Sequence, residues 1–158
     1  MKKKEKETLE LLRRYWTLLI NSLETLKKSV HKAESIGQKN GYSFEEMETF
    51  DSLTSKFSRT SDIFVQKIIR SAWILLHENS MPLIDILNKA EKLGLISSAD
   101  ELIEIRDLRN QIAHEYIPEA IQELIPDALN LSRKLEINID TCREFLKKRG
   151  WIAESRES

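Results

Sequence analysis

Residues 5–36, EKETLELLRRYWTLLINSLETLKKSVHKAESI, contain neither proline nor glycine, and their apolar residues recur at a helical spacing. Leu9, Leu12, Trp16, Leu19, Leu23, Leu26, Val30 and Ala33 follow alternating steps of three and four. Such steps place the residues on one side of an α-helix, an a/d seam that another helix must cover. An intermolecular coiled coil would also cover it, but the short loops that follow favour packing within one chain. His31 falls beside the seam with no partner in view and reads as a surface histidine.

Beyond this helix the chain is punctuated by Gly37, Gly41, Pro82, Gly94, Pro118, Pro126 and Gly150. Long tracts between them lack alternating β-branched runs, which predicts helices joined by short loops. Ser43 and Glu46 are spaced as a capping box. They open a second helix over about 44–78, with Phe50, Leu53, Phe57, Phe64, Ile68 and Leu75 as its apolar stripe. Pro82 starts a short amphipathic helix through Leu83, Ile84, Leu87, Ala90 and Leu93, which Gly94 stops. Leu95 and Ile96 fasten the turn to the core. Ser97 or Ser98, the latter with Glu101, caps the next helix, which ends before Pro118. Pro126 predicts a kink or a split into helices of about 118–125 and 127–149. Leu131, Leu135, Cys142, Phe145 and Leu146 face inward there, and Arg143, Lys147, Lys148 and Arg149 suit the negative end of the helix dipole. The expected fold is all-α, an antiparallel four- or five-helix up-and-down bundle. One domain spans 1–150, and 151–158 form a tail expected to fray, unless Trp151 and Ile152 pack back.

Composition limits the functions available. Twenty-five Lys and Arg stand against 26 Asp and Glu, a net charge of -1. Nucleic-acid binding would therefore need a local basic groove. Cys142 is the single cysteine, which leaves no internal disulfide and no cysteine-built metal site. No metal and no cofactor is expected. The basic N-terminus is followed by no apolar signal core, and no apolar run reaches the length of a bilayer span, so a cytoplasmic protein without membrane contact is expected.

Two polar surfaces are candidates for function. On the second helix Arg59, Asp62, Gln66 and Arg70 share one face, with Lys67 beside them and Trp73 continuing it. This face is either a solvated surface with Arg59–Asp62 and Asp62–Gln66 pairs, or the polar wall of a groove for phosphates. On the fifth tract, Leu102, Ile105, Leu108, Ile112 and Ala113 form an apolar arc, and Arg109 and Tyr116 fall inside it. Asp107, Asn110 and His114 share the polar side. A guanidinium in an apolar arc needs a carboxylate within the subunit or a cleft against a second subunit, because an unpaired buried charge is costly. Arg109 and His114 stand about 140° apart on an ideal helix, so one copy cannot easily bring both to the same atom. Two copies about a dimer axis could. Such a set suits cleavage of RNA: an imidazole moves protons near neutral pH, a guanidinium stabilises charge on phosphate oxygens, and Asn110 orients the imidazole or contacts phosphate.

Arg109-Asn110-Gln111-Ile112-Ala113-His114-Glu115-Tyr116 resembles the R-x4-H-x-Y signature of HepT-type HEPN proteins, and Ala90 to Ile96 before the capped helix resembles that family's lead-in. The resemblance implies a homodimer whose motif helices line a cleft, and a metal-independent endoribonuclease, the toxin of a toxin–antitoxin pair. It implies Arg109 and His114 as cleavage residues. It also implies a minimal nucleotidyltransferase antitoxin as partner, which silences the toxin by adding AMP to Tyr116. Arg59, Gln66, Lys67 and Arg70 would then bind substrate. The motif is flanked by Glu101, Glu104, Asp107, Glu115 and Glu119, which repel RNA unless Arg59, Lys67, Arg70, Arg106 and Arg109 offset them. A non-catalytic nucleotide- or substrate-binding subunit of a nucleotidyltransferase is the alternative. A structural adaptor dimerising through the leucine seam is a third possibility.

Overall fold

A computed structural model of the chain describes residues 1–153. Among these residues every regular element is helical. The elements are α1 (Lys3–Ile36), α2 (Phe44–Asp62), a π-helical segment (Ile63–Ile69), α3 (Arg70–Leu75), α4 (Leu83–Leu93), α5 (Ala99–His114) and α6 (Pro118–Lys148). No helix among the described residues is long and apolar enough to cross a membrane.

The seam of α1 is covered as its spacing predicts. Leu12, Leu19, Leu23, Leu26 and Ala33 are buried, and Leu9, Trp16 and Val30 pack against them from the edge. The opposing stripe, from Phe50 through Phe57, Phe64 and Ile68 to Leu75, is buried as well. Each fully covered Leu or Phe contributes on the order of 2 kcal/mol. Cross-helix pairs give the direction of packing. Ser22 shares a 2.6 Å hydrogen bond with Thr60, and Glu5 lies 3.5 Å from His77, so α1 runs antiparallel to the α2–α3 rod. Lys27 meets Glu136 at 3.0 Å, and Arg13 Nε donates to the carbonyl of Trp151 at 2.9 Å, so α6 is also antiparallel to α1. Ile152 is buried beside this last contact, and Trp151 packs edge-on to Phe145. The remainder of the expected tail, 154–158, lies outside the described residues.

Local signals hold at most boundaries. Both halves of the Ser43–Glu46 capping box form. Gly94 adopts the left-handed conformation, φ 84° and ψ 11°, that ends α4 without the strain a Cβ would bring. Leu95 and Ile96 then enter the core. His77 also takes a positive φ of 58°, and the chain turns there.

Three expectations are corrected. The second helix is not α throughout: Asp62 and Arg70, on either side of the π-helical segment, keep helical dihedrals, so the rod is continuous but carries wider turns in its middle. Trp73 does not continue the polar face. It is buried, with its Nε1 donating to the carbonyl of Asn79 at 3.0 Å. Finally, α6 is not split into two helices but runs as one helix through Pro126. Pro126 is exposed, so the carbonyl it leaves without a donor one turn earlier can turn to water.

The start of α5 is unusually well tied. Ser98 Oγ accepts the N–H of Glu101 at 3.1 Å, one half of the expected capping box. The other half is replaced. Buried Asn138 of α6 accepts the N–H groups of Ser97 and Ser98 and the hydroxyl of Ser97, each at 3.0 Å. Its Nδ2 donates to Glu101 at 3.0 Å and to the Lys134 carbonyl at 2.9 Å. Glu91 of α4 accepts the N–H of Ala99 at 2.7 Å. Helices α4 and α6 thereby fix where α5 begins, and with it the position of Arg109.

Candidate functional site

Arg109 leaves α5 toward the junction of α2 and the π-helical segment. Its Nε donates to Asp62 Oδ1 and its Nη2 to Asp62 Oδ2, both at 2.8 Å. The parallel two-bond fork is the strongest geometry available to this pair. The demand set by an arginine within an apolar arc is thus met by a carboxylate of the same subunit. Hydrogen bonding to Asp62 raises the Arg109 pKa above its ordinary value, against the opposing effect of burial. The guanidinium therefore stays charged at every physiological pH. The side chains remain 33% and 42% exposed, so solvent screening holds the contribution to stability near about 1 kcal/mol.

The pair lies in an open groove of about 580 Å³ walled by α1, the α2–π junction and α5. Tyr15 and Leu18 come from α1, Asp62, Gln66 and Lys67 from the rod, and Arg106, Arg109 and Asn110 from α5. The Lys67 ammonium stands 5.4 Å from the centroid of the Tyr15 ring, a cation–π contact that keeps it at the groove.

The structure brings together Arg109 and Asn110 from the motif with Asp62, Gln66 and Lys67 from the polar face of the second helix. Arg70 reaches this group indirectly, its Nε donating to Gln66 Oε1 at 2.9 Å. Arg59 is exposed and does not line the groove. The expected Arg59–Asp62 and Asp62–Gln66 pairs are replaced by Arg109–Asp62 and Arg70–Gln66. His114 is the last residue of α5 and is exposed. Glu115 leaves the helix with φ -92° and ψ 118°, and Tyr116 is 86% exposed beyond it. Tyr116 and Ala113 are therefore not part of an apolar arc, because the helix ends before the first and the second faces solvent.

Sequence spacing gives no sign of Tyr15, marks Arg106 only as one of the cations offsetting the acidic flanks, and does not pair Arg109 with its partner. The partner had a signal. Asp62 was the acid on the other polar stripe, and Arg109 was the cation in need of one.

Cys142 is fully buried, and burial pushes its thiol pKa far up, so it is not an available nucleophile. No cluster of three or more His, Cys, Asp or Glu placed to hold a metal ion occurs among the described residues. No protein-family model matches the chain, and no curated protein or solved structure with significant similarity to it was found.

Proposed function

We propose that this chain is an endoribonuclease of the HepT-like HEPN type, working as a homodimer. One observation carries the reading. The R-x4-H-x-Y helix presents its arginine, fixed by Asp62, in a groove rich in positive charge, and ends on an exposed imidazole. Arg109 and His114 stand about 140° apart around α5, which does not easily bring both to one phosphate from the same subunit. Two copies of α5 facing each other supply them from opposite sides. His114 moves the proton, Arg109 stabilises the charge growing on the phosphate oxygens, and Asn110, one turn before His114, contacts phosphate or the imidazole. An all-helical fold in which α1 runs antiparallel to the α2–α3 rod and to α6 supports the reading. The exposed Tyr116 is open to AMP transfer from a minimal nucleotidyltransferase antitoxin.

The test is expression of the protein alone and as His114→Ala, following growth and total RNA, with cleavage repeated on purified protein in chelator. Loss of growth arrest and of cleavage in the variant is expected. Equal cleavage by both proteins removes His114 from the mechanism and the reading with it.

One feature favours the alternative, a non-catalytic binding subunit of a nucleotidyltransferase. Asp62 already engages two donors of Arg109. That reading predicts a stable complex with the nucleotidyltransferase and no cleavage by either protein.

A further inference from the structure

The groove holds more positive charge than the motif accounts for. Lys67, Arg106 and Arg109 line it, and Asp62 is the one carboxylate among the lining residues. Asp62 is committed to Arg109, so Arg106 and Lys67 are left without a carboxylate in the groove. Arg106 precedes Arg109 by three positions on α5, which puts the two guanidinium groups on neighbouring parts of one helix face. Its Nε is buried and has no hydrogen-bond partner among the described residues. A buried donor in that state is uncommon and calls for an acceptor. Its Nη2 touches Asp107 at 3.2 Å, but Asp107 is 64% exposed, and a contact in water restrains a guanidinium weakly. Lys67 comes from a different element, the π-helical segment, and is steadied over Tyr15.

We propose that Arg106 and Lys67 form a phosphate subsite for a nucleotide unit, beside the Arg109–Asp62 pair. A guanidinium fork from α5 and an ammonium from the π-helical segment take the phosphate oxygens from two sides, and turning Arg106 from Asp107 into the groove gives its Nε the acceptor it lacks. A volume of about 580 Å³ lies within the range of small-ligand sites and accommodates a nucleotide. The same chemistry is carried by single-stranded RNA and by a free mononucleotide. The RNA form rests on the ribonuclease reading.

The experiment is fluorescence anisotropy with a 5′-labelled oligouridine RNA across a salt series, in the His114→Ala background so that the probe survives. Arg106→Ala and Lys67→Ala are each expected to weaken binding up to about tenfold, and to flatten the salt dependence by roughly 0.7 for each phosphate no longer neutralised. Arg106→Lys, which keeps charge but not the fork, should fall between. Lys56→Ala, in a separate surface depression, should match the parent. Lys67 is exposed, so its removal leaves the core intact even where Arg106→Ala lowers the melting temperature.

Parent-like affinity and salt slope in both variants overturns the subsite and leaves the ribonuclease reading standing. A parent that binds neither RNA nor uridine monophosphate overturns both. Binding of uridine monophosphate that depends on Arg106 and Lys67, without RNA binding, upholds the subsite and removes the ribonuclease.

Discussion

The two ends of α5 are built on opposite principles. At its start, four backbone N–H groups in succession or near succession find side-chain acceptors: Asn138 takes Ser97 and Ser98, Glu91 takes Ala99, and Ser98 takes Glu101. At its finish, His114 and Tyr116 are exposed, and the polar contact there is the local one between Glu115 and the N–H of Ile117. The difference shows where the fold places its stability. The end without motif residues is locked to two other helices. The end that carries the imidazole and the tyrosine is open to a second molecule. Arg109, about midway, shares in both arrangements, held by Asp62 yet facing a groove.

The sharpest way to break this comparison is at Asn138. Asn138→Ala strands the donors of Ser97 and Ser98 and frees Glu101, at a cost of about 3 kcal/mol, read as a shift in the urea unfolding midpoint. A change under about 1 kcal/mol would mean that the start of α5 is not held as described. The midpoint of the helix comes next. Asp62→Ala should cost about 1 kcal/mol, and a double-mutant cycle with Arg109→Ala should return most of that as coupling energy. Zero coupling would place the two side chains apart in solution. The smallest effect is expected at the open end. Tyr116→Ala should change stability by no more than about 0.5 kcal/mol. A drop beyond about 1 kcal/mol would reveal packing at that end and remove the contrast.

Legibility followed the reach of each interaction. The seam of α1, the Ser43–Glu46 box and the Gly94 stop rest on neighbours three or four residues apart, and spacing alone reveals them. Asp62 and Arg109 are separated by 47 positions, and Asn138 and Ser98 by 40. Neither pair leaves a periodic trace. Asn138 follows Leu131 and Leu135 at helical steps on the buried face of α6, and an asparagine at such a position is the one sign of a hub that the sequence offers. The π-helical turns also escape a search for steps of three and four, since they depart from that period. For the candidate site, the motif marks its own helix and the polar face of the second helix separately marks Gln66 and Lys67, but spacing alone neither joins the two nor adds Tyr15 from α1.

The π-helical segment gives the rod a slip point. A turn of that kind carries more residues than an α-helical turn, so deleting one residue between 63 and 69 can restore ordinary winding without breaking the helix. The flanking segments would then keep nearly the same relative orientation, because the wide turns had absorbed the extra residue. Asp62 stands before the slip point and Lys67 within it, so such a deletion would shift the ammonium that shares the groove relative to the carboxylate that steadies Arg109.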